Sequence, residues 1–171
     1  MPNVDEWLQG LGLGQYADLF RANLRETRTQ IPLKEELEVA RLYQRIEELR
    51  LGPRLKVKWN VQALPMDTLV PSLVVQPLLE NAIYHGIEPL PDGGTVVVSG
   101  ERNGDNLELS IANPVQTESG GIAHTGNRIA LDNIRERLEL AYHGRARLDV
   151  EKRGNEYIVK LTFPLVHRAV L

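Results

Sequence analysis

The sequence predicts an α+β sandwich, with helices covering one face of a mostly antiparallel sheet. Three observations carry that expectation. Segments 33–51, 72–86 and 129–142 each repeat apolar residues at helical spacing. Segments 55–60, 96–100, 107–112, 146–152 and 157–163 alternate or run apolar like strands. The last four of these fall into two pairs joined across short glycine turns, so the connections are hairpins rather than long crossovers.

In chain order, residues 4–23 (VDEWLQGLGLGQYADLFRAN) read as two short helices broken around Gly10, Gly12 and Gly14. Trp7, Leu8, Leu11, Tyr16, Leu19 and Phe20 supply their apolar faces, and Pro32 marks a boundary. From Leu33 to Leu51, residues Val39, Leu42, Tyr43, Ile46 and Leu49 recur between Glu, Lys and Arg, and Gly52-Pro53 ends the helix. LKVKWN at 55–60 alternates as a strand. After helix 72–86, Pro89, Pro91 and Gly93-Gly94 form a turn-rich loop. Asn103-Gly104 joins the first strand pair and Gly154-Asn155 the second. Between the pairs lie a polar, aperiodic loop at 114–127 and the helix 129–142. Leu131, Ile134, Leu138 and Ala141 line its inner face, and Gly144 stands at its stop. Residues 1–32 thus form an N-terminal helical segment and 33–171 the main domain.

Composition narrows the function. The 171 residues suffice for one domain with a core. A 42% hydrophobic and 25% charged content is that of a folded globular chain. A net charge of −3, without a basic stripe, points away from nucleic acid. With no cysteine, disulfides and thiolate metal sites are excluded. No apolar run reaches the roughly 20 residues of a membrane helix, and no signal-peptide layout opens the chain.

The chemistry concentrates in QPLLENAIYHG, residues 76–86. At 100° per residue, Gln76, Glu80, Asn81, Tyr84 and His85 share one half of a helix, while Val75, Leu78, Leu79, Ala82 and Ile83 fill the other. One face can pack on a sheet while the other offers a carboxylate, two amides, a phenol and an imidazole. A plain surface helix with mixed polar residues reads equally well at this point. A second segment adds weight. Gly126-Asn127 opens onto the helix that continues Ile129-Ala130-Leu131, and free N–H groups at a helix start favour phosphate. No GxxxxGK[ST] motif occurs, so this is not a P-loop.

Glu80-Asn81 with His85-Gly86 resembles the N box of the GHKL ATPases, and the segment from Gly126 onward resembles their second glycine box. LKEELEVARLYQRIEELRLG, VQPLLENAIYHGI and GNRIALDNIRERLELAYHG together resemble LytS/AlgZ-type sensor histidine kinases, in order across about residues 16–165. The resemblance implies a GHKL (Bergerat-type) sandwich that binds ATP and Mg²⁺ between the helix carrying Asn81 and the loop 114–128. It implies Asn81 as the Mg²⁺ ligand, Glu80 as the residue that orients a metal-bound water or acts as a base, and Tyr84, His85 and Gly86 near the phosphates or their lid. Asn113 takes the position where relatives carry an adenine-recognising Asp, and Gly126, Asn127, Arg128, Ile129, Ala130 and Leu131 form the phosphate-side segment. Thr162 is expected near the base. The implied activity is a protein histidine kinase in two-component signal transduction. It would pass the γ-phosphoryl group to a histidine on a dimerisation domain, with a response regulator downstream. The implied setting is cytoplasmic, the parent kinase being anchored in a membrane.

The chain departs from the family pattern in four places. The DxGxG first glycine box is absent, although an Asn113 oxygen can still accept the adenine hydrogen bond. Arg128 stands where relatives have glycine; it either crowds the phosphate loop or reaches a phosphate as a cation, and weaker nucleotide binding is the expected outcome because glycine there reaches conformations costly to other residues. No HFLFN-like acceptor motif is present; His85 belongs to the expected site, and His124, His143 and His167 read as surface residues. Autophosphorylation of this chain alone is therefore not expected. Finally, residues 4–23 also resemble the first two helices of a SAM domain, which suggests a truncation or a fusion joined near Gln15, while Tyr16–Glu26 reads equally as the end of the kinase dimerisation helix. About 24 residues bury too little to fold alone, so Trp7, Tyr16 and Phe20 are expected to form an amphipathic cap on this chain, or on a second copy in a homodimer. Two alternatives stay open: a GHKL serine kinase of the anti-sigma type, and a degenerate nucleotide-binding interaction module.

Overall fold

The longest helix, α1 (Leu33–Leu51), starts where Pro32 leaves a short strand and stops at Gly52. In this computed structural model, which describes residue 9, residues 30–116 and residues 124–166, α1 is the first of three helices on one sheet face. Val39 and Leu42 are buried as their spacing predicts, but Leu49 is 62% exposed. The inner stripe of α1 is instead completed by Leu33, Leu37, Ala40 and the carboxylate of Glu36.

The main sheet has five strands: β2 (Leu55–Asn60), β4 (Gly94–Asn103), β5 (Asn106–Pro114), β6 (Arg147–Arg153) and β7 (Glu156–Pro164), ordered β2-β4-β5-β7-β6. All neighbours are antiparallel except β2 and β4, which run parallel. That parallel pair requires a crossover, and the crossover contains α2 (Val75–Ala82), the helix of the candidate site. A separate ribbon pairs β1 (Gln30–Pro32) with β3 (Leu69–Pro71), two strands the sequence pattern did not reveal because each spans three residues. Helix α3 (His124–Tyr142) follows β5. The α+β class expected from the sequence is the class observed.

Alternation sets the faces of the sheet. Val96 and Val98 of β4, Leu107, Leu109 and Ile111 of β5, and Val159, Leu161 and Phe163 of β7 are buried under the helices. From above, Leu78, Leu79, Ala82, Ile83, Leu131, Ile134, Leu138 and Tyr142 join the same core cluster. Among the described residues, no helix is long and apolar enough to cross a membrane. The two-helix reading of residues 4–23, the homodimer built on it and the placement of His167 lie outside the described residues.

Candidate functional site

Helix α2 has no capping side chain of its own at Val74. Its N-terminus is capped from α1. Glu36 accepts the backbone N–H groups of Val74 and Val75 on Oε1, at 2.7 and 2.8 Å, and that of Leu73 on Oε2, at 3.1 Å. Helix starts leave such N–H groups without intrahelical partners, and a carboxylate there also meets the positive end of the helix dipole. Glu36 is fully buried, and desolvation pushes its carboxyl above the usual range, opposed by the backbone N–H groups of Val75, Val74, Leu73 and Gln76. Leu73 sits at φ 58°, a left-handed conformation that costs a leucine about 1–2 kcal/mol. The helix expected from residue 72 therefore begins at Val75, after this capped turn.

The far end of α2 is also irregular. From Ile83 to Ile87 the chain widens into a π-helical turn containing Tyr84, His85 and Gly86. Such turns inside helices cluster at functional sites. The equal division into a packed half and a solvated half, as the wheel predicts, does not hold. Glu80 and Tyr84 are exposed, Gln76 and His85 are half-buried, and Asn81 is 8% exposed. Gln76 Nε2 donates to Glu80 at 3.2 Å, and the rings of Tyr84 and His85 meet edge to face.

Two predicted site residues 27 positions apart come into contact. A Cβ placed on Gly86 would lie 2.8 Å from both Cβ and Cγ of Asn113. Gly86 is thus where α2 descends onto β5, with the buried Asn113 filling the space a side chain would need. Asn113 Nδ2 donates to the Pro114 carbonyl at 2.9 Å, which leaves its own oxygen free of that bond. Just beyond, the loop 88–93 wraps Arg54, whose Nη2 donates to the carbonyls of Glu88 and Leu90, both at 2.8 Å. Gly93 closes the loop at φ 71°, with its missing Cβ aimed at the Arg54 carbonyl. Arg50 pairs with Glu88 at 2.9 Å and holds that carboxyl below its usual range.

The second segment is arranged differently from the expectation. Helix α3 begins at His124, so the backbone of Gly126, Asn127 and Arg128 lies within its first turns rather than in a loop before it. Arg128 is exposed and is not among the residues at positive φ, so the argument that only glycine suits this position does not apply. Ile129 is 59% exposed, Ala130 is half-buried, and Leu131 packs in the core. Helix α3 lies beside α2, and Arg137 Nη1 reaches the Ser72 carbonyl at 3.4 Å.

Thr162 is not brought to this site. It pairs with Glu108 and Arg147, on the sheet face opposite the buried Leu161 and Phe163. It also lies five residues along β7 from Tyr157, the residue registered against Asn113, roughly 17 Å away at strand spacing. Tyr157 packs half-buried against the core at this end of the sheet. Sequence reasoning passed over it because an aromatic in a strand is read as packing.

The chain is a two-layer sandwich with a polar, glycine-terminated helix against the end of a central strand. The catalytic domain of histidine kinase ThkA superposes with a TM-score of 0.57 at 16% identity, covering 80% of this chain and 94% of that one. Full-length ShkA in complex with AMPPNP gives 0.55 at 14% identity, covering 95% and 37%. The fold is the GHKL sandwich of histidine kinase catalytic domains. In sequence, the chain is similar to sensor histidine kinase YpdA of Escherichia coli (strain K12), 30% identical over 152 residues, 83% of this chain and 27% of the relative. It is similar to BtsS of the same organism, 33% identical over 137 residues, 76% and 24%. Sensor protein LytS of Staphylococcus haemolyticus is 26% identical over 148 residues, 80% and 25%. The chain therefore spans about a quarter of the length of the curated relatives it matches.

A family model for the SAM domain (sterile alpha motif) matches residues 1–64. The described part of that match, from residue 30, is β1, α1 and β2, and β2 is hydrogen-bonded into the main sheet through β4. This part of the match is built into the sandwich.

Proposed function

We propose that this chain is the ATP-binding catalytic part of a sensor histidine kinase. The observation that carries the proposal is the seating of Gly86 on Asn113, which brings together two expected site residues 27 positions apart. Asn81 supplies the carboxamide oxygen for Mg²⁺, a cation that takes few protein oxygens and completes its shell with water and phosphate. Held there by Asn81, Mg²⁺ would supply positive charge that offsets phosphate charge during phosphoryl transfer. Glu80, exposed one residue before Asn81, orients water or takes a proton. Asn113 presents its oxygen to the adenine amino group, while Tyr84 and His85 line the phosphate side. Arg128, exposed on the first turns of α3, is free to reach a phosphate as a cation. The AMPPNP complex of ShkA is the neighbour that supports a nucleotide in a fold of this kind.

The acceptor histidine belongs to a dimerisation domain, and the phosphoryl group passes on to a response regulator. Two measurements test the reading. Titration calorimetry is expected to show ATP binding that depends on Mg²⁺ and is lost with EDTA. Incubation with labelled ATP is expected to leave this chain unlabelled, because an acceptor imidazole must sit in line with the γ-phosphate. Adding a dimerisation domain with its acceptor histidine is expected to produce an acid-labile, base-stable phosphate on that domain. Absence of nucleotide binding would leave the interaction-module alternative, and transfer to serine would identify the anti-sigma type.

A further inference from the structure

We infer that Glu36 is a positioning residue for the candidate site, holding the start of α2 and thereby the placement of Glu80 and Asn81. The inference rests in part on the nucleotide-binding reading above. Helix α2 and the π-helical turn that continues it run only from Val75 to Ile87, and Asn81 lies six residues, or roughly 9 Å, from Val75. A helix this short has little stability of its own and takes its direction from what fixes its ends. At the C-terminal end, Gly86 rests on Asn113. At the N-terminal end, the N-cap residue Val74 makes no side-chain capping bond, and Pro77 in the first turn has no N–H to offer.

The three N–H groups at Leu73, Val74 and Val75 all turn to one carboxylate 37 to 39 residues earlier in the chain. Glu36 sits in the first turn of α1, with Leu33, Leu37 and Ala40 buried around it. It is thus fixed by the same helix that packs on β2, and it ties α2 to that body. A carboxylate fits because it is acceptor-only on both oxygens. A glutamine of the same shape keeps one carbonyl for Val74 and Val75, but turns an amide NH₂ toward the Leu73 N–H.

The test uses the full chain with Glu36→Gln and Glu36→Ala, beside Leu107→Val as a control. Leu107 is buried near the other end of β5, six residues from Asn113. Amide hydrogen exchange in the nucleotide-free protein is expected to speed up at least tenfold at Leu73, Val74 and Val75 in Glu36→Gln, with Leu73 most affected. At an equal fall in Tm, Leu107→Val is expected to leave those amides protected. The Kd for Mg²⁺·ATP is expected to rise at least tenfold in Glu36→Gln and to stay within twofold in Leu107→Val. Unchanged exchange at the three amides overturns the inference, as does an equal loss of affinity in the control. If the unaltered chain binds no Mg²⁺·ATP, the functional reading fails, while the exchange measurement still judges Glu36. If Glu36→Ala does not fold, Glu36→Gln carries the decision.

Discussion

Asn81→Ala is expected to weaken Mg²⁺-dependent ATP binding at least about 100-fold, on the order of 2.8 kcal/mol at 1.4 kcal/mol per decade. The proposed ligand is the carboxamide oxygen, and alanine offers nothing in its place. The side chain is 8% exposed, so its removal also disturbs local packing, and some loss of stability accompanies the loss of binding. Asn81→Asp separates the two effects, because it keeps the shape and an oxygen ligand. Calorimetry with and without Mg²⁺, together with circular dichroism melts of both variants, provides the check. A metal role predicts that the aspartate variant retains Mg²⁺-dependent binding better than the alanine variant at comparable Tm. Undiminished affinity in Asn81→Ala with Mg²⁺ present would remove Asn81 from the metal site.

Gly86→Ala is expected to be costly for both fold and site. The new methyl group would sit 2.8 Å from Cβ and Cγ of Asn113, well inside ordinary contact. Overpacking of this kind costs about 2 kcal/mol, and for a domain of this size that lowers Tm by roughly 4–8 °C. Asn113 is buried beneath α2 and cannot swing into solvent without opening the helix from the strand. Relief of the clash therefore moves either the base-recognising side chain or the π-helical turn, and ATP affinity is expected to fall at least tenfold. Asn113→Gly removes every atom in the clash. The double variant is accordingly expected to lose less stability than the sum of the single variants, with a coupling of about 1 kcal/mol in the double-mutant cycle. Additive losses would show that the two residues are not in contact.

Local signals carried much of this molecule. Apolar spacing is a property of a dozen neighbouring residues, so α1, α3 and the four strands of the two hairpins are legible without any tertiary knowledge. The turns at Gly104 and Gly154 mark where those strands reverse. The block QPLLENAIYHG is equally local, and it names the helix on which the site would be built. What the sequence left undecided is which partner each polar group meets. A wheel places Asn81 with Glu80 and Tyr84, but the packed layers bury Asn81 and expose the other two. Strand alternation shows that Thr162 and Leu161 face opposite ways, yet only the helical layer decides which face is the site. The contact of Gly86 with Asn113 spans 27 residues, and the cap of α2 by Glu36 spans 37 to 39. Helical spacing groups Glu36 with Leu33, Val39 and Ala40, but it does not say which of Glu35, Glu36 and Glu38 the packed layers enclose. Tertiary packing distinguishes it by removing one of them from water, and a buried carboxylate must find donors. The nearest unpartnered donors are the N–H groups at the start of the helix that carries the site.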